Sequence, residues 1–574
     1  SNPSGFDFKQ YLARQGIFAG IQGTEASFDY NPAWRWGKLR QRIVRSHLQG
    51  LGSPVGQLVS SMVLGRKAVD LPSEIRDRFI TAGLAHVLAA SGFHVSLLLG
   101  IMLRLTIRVN PQARLMIGLG TLIMYLGLTG IQASVLRACL MGSAVLLALT
   151  LETKVRPLGS LLLAAVVILL FNPLLIEDLG FRLSFLATFG LISTLPKLQQ
   201  HLDWLPTTIA TVVAIPLAAS VWVLPLLCYE FNTLATYSIL TNILCTPLIT
   251  VVSLGGMISG IVALIVPALG SAISSLLFYP ATWLITLTKL CTSLPGSTWA
   301  VGQMPLTMVL GIYGLFILIW FKPWWQKRWW LGMVLPVILL TAIAVHNASQ
   351  VQVTVLGTRQ SPIIVLQDRG TVILINSGKN HQAKYTVLPF LAQQGINRLN
   401  YGLASDRSGN SAAEWSAIAK RVRVDTIFSS DLGNLPQTKT LYAETPPQIT
   451  TKSINLTSDR DLNLLNIKIG DYSWLVLNTR RDIPQNDLAP KIKSYIQQQN
   501  LSSRHLILVC SQNIAPIWLK LLQPERLIAL GNKITPATKQ ILREQQIEFH
   551  DAVTEGMIRW TPQQGLKRTQ EVLN

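Results

Sequence analysis

The chain has 574 residues, 49% of them hydrophobic and only 13% charged, with a mean hydropathy of +0.39. Soluble domains average about 25% charged residues, so the composition excludes an ordinary water-soluble enzyme and suits a chain embedded in a bilayer. The net charge of +21 fits cytoplasmic loops under the positive-inside bias, and it also fits a path for a polyanion.

Residues 1–30 are short, polar and mixed, with no cleavable signal peptide at the start. Residues 34–50 are basic and carry Trp34 and Trp36, the pattern of an interfacial helix lying at the headgroups. Residues 52–65 form a small amphipathic segment ending at Gly65.

Ten apolar stretches follow, near 83–105, 115–128, 133–151, 158–171, 180–195, 207–229, 236–266, 270–292, 307–321 and 329–345. A spanning helix needs roughly 20 apolar residues, so several of these fit shorter or broken helices. The stretch 236–266 contains Pro247 and reads as one kinked helix or two half-helices. With ten crossings, the loops holding Arg104, Arg108 and Arg114, then Lys154 and Arg156, then Lys197, then Lys322, Lys327 and Arg328 fall on one side. That side is expected to be cytoplasmic, which puts both soluble ends outside.

From Val351 the period changes. Strands are expected at 351–356, 363–367, 371–376, 398–404, 463–469, 472–478, 505–510, 527–530 and 547–552. Helices are expected at 383–395, 488–499, 514–522 and 535–545. Strands alternating with helices indicate a layered α/β domain.

The membrane part holds polar residues where they are costly. His86, Ser91, Gly92 and His94 sit inside one apolar stretch. On a continuous helix, residues 86, 91 and 94 would share one broad face; Ser91-Gly92 could instead mark a break. Such residues mark a wet pathway, or they hydrogen-bond helix to helix with Gly92 allowing close packing. Arg137 is expensive in an apolar helix unless paired or wet, and a buried structural ion pair would also account for it. Asp178 and Arg182 are i,i+4 neighbours that can pair. Ser184 and Asn242 could line a path with hydrogen-bonding groups. The five cysteines show no C-x-x-C, and no P-loop motif occurs.

The segment HVLAASGFHV (86–95) resembles the hallmark of the ComEC competence family. QASVLRACLM (132–141), EDLGFRLSFLATFGLI (177–192) and LTNILCTPLIT (240–250) resemble later family segments in the same order, and FDFKQYLARQGIF (6–18) resembles the segment leaving the family's OB-like domain. The resemblance implies a channel that passes single-stranded DNA into the cytoplasm through a bacterial inner membrane. It implies as partners a cytoplasmic helicase-like ATPase and an outer DNA-capture apparatus. The path candidates it carries are His86, Ser91, Gly92, His94, Arg137, Asp178, Arg182, Ser184 and Asn242.

The resemblance divides the chain into three. Residues 1–50 correspond to the end of a truncated OB-like region with the basic interfacial segment, since thirty residues cannot build a five-stranded barrel. Residues 51–346 correspond to a transmembrane domain. Residues 351–574 resemble a metallo-β-lactamase αββα sandwich.

In that last domain the family's metal-binding pattern is absent from the sequence. Leu356-Gly357-Thr358-Arg359-Gln360-Ser361 stands at the first motif, and Ser405 to Ser411, including Asp406, Ser408, Asn410 and Ser411, stands at the ligand loop. A later metal-binding Asp falls near Arg480, and Cys510-Ser511-Gln512 stands where the family has His-His-Gly. Only His381, His505 and His550 follow residue 350, and a two-metal hydrolase needs clustered His and carboxylates. The expectation is a domain with no enzymatic activity and no cofactor. Arg359, Lys379 and Arg407 could hold phosphate or be merely solvated. A membrane-anchored nuclease, and a transporter of another anionic polymer or a lipid-linked glycan, are the competing readings.

Overall fold

The computed structural model describes residues 35–568 apart from 66–67, 323, 325–327, 329, 359–361, 405–410, 430–437, 440–447, 460–461, 463, 478–484, 500, 502–504, 511–513 and 531–533. The described residues divide into two compact units. One holds those of Ala13–Glu230 and Leu234–Thr298, and the other those of Phe231–Thr233 and Trp299–Asn574.

The first unit is helical. It opens with α1 (Arg35–Leu51), α2 (Val55–Leu64) and α3 (Ser73–Thr81). A 3-10 turn (Ala85–Leu88) then leads to α4 (Gly92–Leu105), followed by α5 (Pro111–Thr129), α6 (Ala133–Thr150) and α7 (Pro157–Phe171). After these come α8 (Leu179–His201), α9 (Thr207–Phe231), α10 (Ser238–Ile265), α11 (Pro267–Ser275) and α12 (Phe278–Ser293). Five of these, α5, α6, α8, α9 and α10, are long and apolar enough to cross a membrane, or six if the α11–α12 pair, bent by 50°, is one span. The α4 and α7 helices are apolar but shorter. Leu162, Leu163, Val166 and Leu170 of α7 are exposed, as lipid-facing side chains are in a protein with no polar coat. This is a membrane protein by the length and apolarity of its helices.

Within residues 236–266, Ser238–Ile265 form one helix rather than two halves. Around Pro247, Thr246 Oγ1 donates to the Asn242 carbonyl (2.6 Å) and Thr250 Oγ1 to the Thr246 carbonyl (2.8 Å). The basic segment α1 is less peripheral than its composition suggests. Ile43, Ser46, His47 and Leu51 recur at helical spacing and are all buried, so one face packs into the bundle while the basic face stays outside.

The second unit begins with α13 (Leu306–Phe321) and α14 (Leu331–Ser349), again apolar. Two sheets follow. The first has eight strands, β1 (Val351–Leu356), β2 (Ile363–Asp368), β3 (Thr371–Ile375), β4 (Arg398–Ala404), β5 (Arg423–Ser429), β6 (Thr438–Lys439), and later β14 (Ile558–Thr561) and β15 (Gly565–Arg568), in the order β15-β14-β1-β2-β3-β4-β5-β6. The second has β7 (Ile449–Thr450), β8 (Ile454–Asp459), β9 (Leu464–Ile469), β10 (Tyr472–Leu477), β11 (Leu506–Cys510), β12 (Arg526–Ala529) and β13 (Glu548–Asp551), in the order β13-β12-β11-β10-β9-β8-β7.

One apolar cluster joins the sheets face to face, with Val353, Ile364 and Ile373 from the first meeting Leu456, Trp474 and Ile507 from the second. A π-helical turn (Ala383–Val387), α15 (Leu388–Gln393) and α16 (Ser411–Ala419) cover the outer face of the first sheet. The helices α17 (Gln485–Gln499), α18 (Pro516–Leu522) and α19 (Pro536–Glu544) cover the outer face of the second. The layers run helix, sheet, sheet, helix. The expected strands and helices of this region form within a few residues of their places. The structure adds β5, β6, β7, β8, β14, β15 and α16.

Candidate functional site

The HVLAASGFHV segment does not form one helix. The chain leaves the 3-10 turn, extends at Ala89 (φ −111°, ψ 143°) and Ser91 (φ −123°, ψ 166°), and starts α4 at Gly92. The Ser-Gly pair therefore breaks the helix, and residues 86, 91 and 94 do not share a helical face. His86 is exposed on the 3-10 turn and takes no part in the hydrogen bonds that hold His94.

Ser91 is the N-cap of α4 and forms a capping box with His94. The Ser91 backbone N–H donates to His94 Nδ1 at 3.3 Å, and Ser91 Oγ lies 3.0 Å from the same nitrogen. A nitrogen that accepts an N–H carries no proton of its own, so the neutral ring is the Nε2–H tautomer. That proton is directed at Ser253 Oγ of α10, 3.2 Å away. His94 is 2% exposed and Ser253 fully buried.

A second histidine repeats the arrangement one turn along α10. His47 Nε2 lies 3.2 Å from the Gly256 carbonyl, which can only accept, and its Nδ1 lies 3.0 Å from Ser60 Oγ of α2. His47 was missed because its helix reads as basic and interfacial. The signal was there in the spacing of Ile43, His47 and Leu51, a buried stripe at i, i+4 and i+8.

Arg137 of α6 is 8% exposed. Its Nε donates to Ser184 Oγ of α8 at 2.9 Å, Nη1 approaches Met141 Sδ at 3.7 Å, and the guanidinium carbon stands 6.0 Å from the centre of the Phe185 ring. No ion pair among the described residues includes it. The buried-ion-pair account of Arg137 thus has no carboxylate to rest on. Nη2 lies directly under the first residue of α4, where a Cβ added to Gly92 would come within 2.7 Å of it. A cation and the N-terminal end of a helix, both favourable to anions, therefore meet at Gly92. Ser134 Oγ donates to the Ala90 carbonyl at 3.0 Å and holds the same segment against α6.

The expected Asp178–Arg182 pair does not form. Asp178 caps its own helix, accepting the Phe181 N–H at 2.8 Å. Arg182 donates to the Ile176 carbonyl at 2.7 Å and pairs with Glu230 of α9 at 2.9 Å. A short carboxylate at the N-cap is better placed to satisfy free N–H groups than to reach one turn onward. Asn242 turns back on its own helix, its amide donating to the Ser238 carbonyl at 2.8 Å. The structure thus ties Ser91, Gly92, His94, Arg137 and Ser184 into one connected cluster, and His86, Asp178, Arg182 and Asn242 have other partners.

In the second unit, Asp406, Arg407, Ser408 and Asn410 lie outside the described residues, as do Arg359, Gln360, Ser361, Arg480, Ser511 and Gln512. Ser411 opens α16. Lys379 is mostly buried. The His381 N–H donates to Glu414 at 2.9 Å, His505 stands 3.5 Å from Glu525, and His550 lies between Glu548 (3.1 Å) and Glu555 (3.2 Å). Cys510 ends β11 in the core, and burial pushes its thiol up to about 12.

The Competence protein family model matches residues 62–327. The chain is 31% identical to ComE operon protein 3 of Bacillus subtilis (strain 168) over 269 residues, 46% of this chain and 34% of the relative. The match therefore spans about a third of that relative's length. The cluster around Gly92 and Arg137 lies within the matched region, and over residues 62–327 the chain is similar to the competence protein family.

Proposed function

We propose that the helical unit is a channel that passes single-stranded DNA across the bacterial inner membrane during natural transformation. The observation that carries this reading is Arg137, a nine-tenths-buried cation with no carboxylate partner among the described residues, set beneath the N-terminus of α4. Placing an Arg within an apolar helix costs roughly 3 kcal/mol, which a phosphate passing beside Gly92 would offset. A mobile polyanion needs weak, repeated contacts rather than one tight site. One partly satisfied guanidinium with the half-buried Ser184 and Ser91 hydroxyls offers contacts of that kind.

On this reading the α/β unit is a metallo-β-lactamase-like domain without catalysis that stabilises the assembly or touches DNA. Its layering supports the likeness, and the changed ligand positions in the sequence support the lost chemistry. The N-terminal segment and the α/β domain face outward, and a helicase-like ATPase and a DNA-capture apparatus complete the pathway. The test is uptake of labelled DNA by transformable cells whose own copy carries Arg137→Glu or His94→Ala, with protein level followed by blot. Loss of uptake at normal protein level supports the assignment; normal uptake in both variants sinks it.

A further inference from the structure

We infer that α1 and the start of α11 form a binding site for the phosphate headgroup of an anionic phospholipid. Lys38, Arg42 and Arg45 line a recess of about 370 Å³ together with Gln41, Gln49 and Pro267. No Asp or Glu occurs from residue 35 to residue 65, and no ion pair among the described residues includes any of the three cations. Arg42 is held in place by donating to the Ile265 carbonyl at 3.0 Å, while its buried Nε has no partner.

The second observation is the helix junction that supplies Pro267 to the recess and the Ile265 carbonyl to Arg42. Ile265, Val266 and Leu269 are 76%, 46% and 53% exposed and lie at the same helix junction. A cationic recess whose lining residue Pro267 is flanked in sequence by exposed branched apolar residues matches a ligand whose charged head continues into acyl chains. A nucleic acid would need hydrophilic surroundings for its sugars and aromatic platforms for its bases, and this edge offers neither.

Lys38 and Arg45 are both exposed, so replacing them leaves the packed face of α1 intact. The experiment is native mass spectrometry of the full chain in a non-ionic detergent, comparing retained phosphatidylglycerol with phosphatidylcholine. The intact protein is expected to prefer phosphatidylglycerol roughly tenfold, and the Lys38→Gln/Arg45→Gln double variant to lose that preference while keeping its thermal midpoint. Glycerol phosphate, which has the head without the chains, should fail to displace the lipid. Equal retention of both lipids, or an unchanged preference in the double variant, overturns the inference. Displacement by glycerol phosphate alone would leave a free-phosphate site in its place, and displacement by a single-stranded oligonucleotide would leave a DNA contact.

Discussion

Gly92 and Arg137 are in contact: a Cβ at residue 92 would sit 2.7 Å from the guanidinium Nη2 and 3.5 Å from the Ala138 Cβ. The absence of a side chain on α4 is what admits the cation on α6. Gly92→Ala should therefore push the guanidinium off Ser184 without adding or removing charge. DNA uptake is expected to fall by about tenfold, equivalent to about 1.4 kcal/mol, with the protein still in the membrane. Arg137→Lys should be no substitute, because an ammonium cannot bond Ser184 and face Gly92 with a planar fork. Uptake by Arg137→Lys at the wild-type level would contradict this account of the contact.

The two histidines that bond to α10 make a stability prediction. His47 and His94 use the same nitrogen toward Gly256 and Ser253, one turn apart. Replacing His47 by Phe keeps the volume but leaves Ser60 and the Gly256 carbonyl short of a partner. The expected cost is about 1–3 kcal/mol, read as a lower thermal midpoint in detergent. The same substitution at His94 should cost as much and also reduce uptake, whereas His47→Phe should spare uptake per folded molecule.

Asp178 and Arg182 act separately, so they should respond separately. Asp178→Ala removes an N-cap and should destabilise by about 1 kcal/mol, with Asp178→Asn nearly neutral. Arg182→Glu should be repaired by Glu230→Arg and not by any change at residue 178. Rescue of Arg182→Glu by Asp178→Arg in a thermal assay would show that the helix-local pair forms after all.

Asp368 ties the two sheets of the α/β unit together, accepting from the Thr451 hydroxyl and, at 2.6 Å, from the Ser453 N–H. Burial works to raise its pKa, but these bonds outweigh it and hold the carboxyl below its ordinary 3.8. A depressed folded-state value means the contribution is fully present above 3.8 and is lost as pH falls through the folded value. The protection of Ile454–Asp459 against hydrogen exchange, meaning the intrinsic rate, which itself falls with pH, divided by the observed rate, should therefore be lower at pH 3 than at pH 7, and Asp368→Asn should abolish that difference.

Much of this architecture was legible in the sequence because it follows from periodicity. Continuous apolar runs marked the helices, and the change of period at Val351 marked the sheets. What escaped had weaker local signals. The strand Ile454–Asp459 alternates buried and half-buried positions with polar residues, and Ile558–Thr561 pairs with Val351–Leu356 across some 200 residues, a partner no local window contains. Within the site, residue types pointed to the right segments but not to the right pairs. The i,i+4 spacing of Asp178 and Arg182 is a real option for an isolated helix, yet tertiary structure offered each a better partner. His47 was hidden by the arginines around it, which carry the outer face of the same helix.

The most direct measurement is photocrosslinking from Phe93, which is 42% exposed beside His94, to DNA arrested during uptake. A photoreactive phenylalanine analogue at residue 93 should yield a DNA-linked product, and the same analogue at the exposed Leu170 of α7 should yield only lipid adducts. No DNA adduct at residue 93, or an equal one at residue 170, would contradict a DNA path past Gly92 and Arg137.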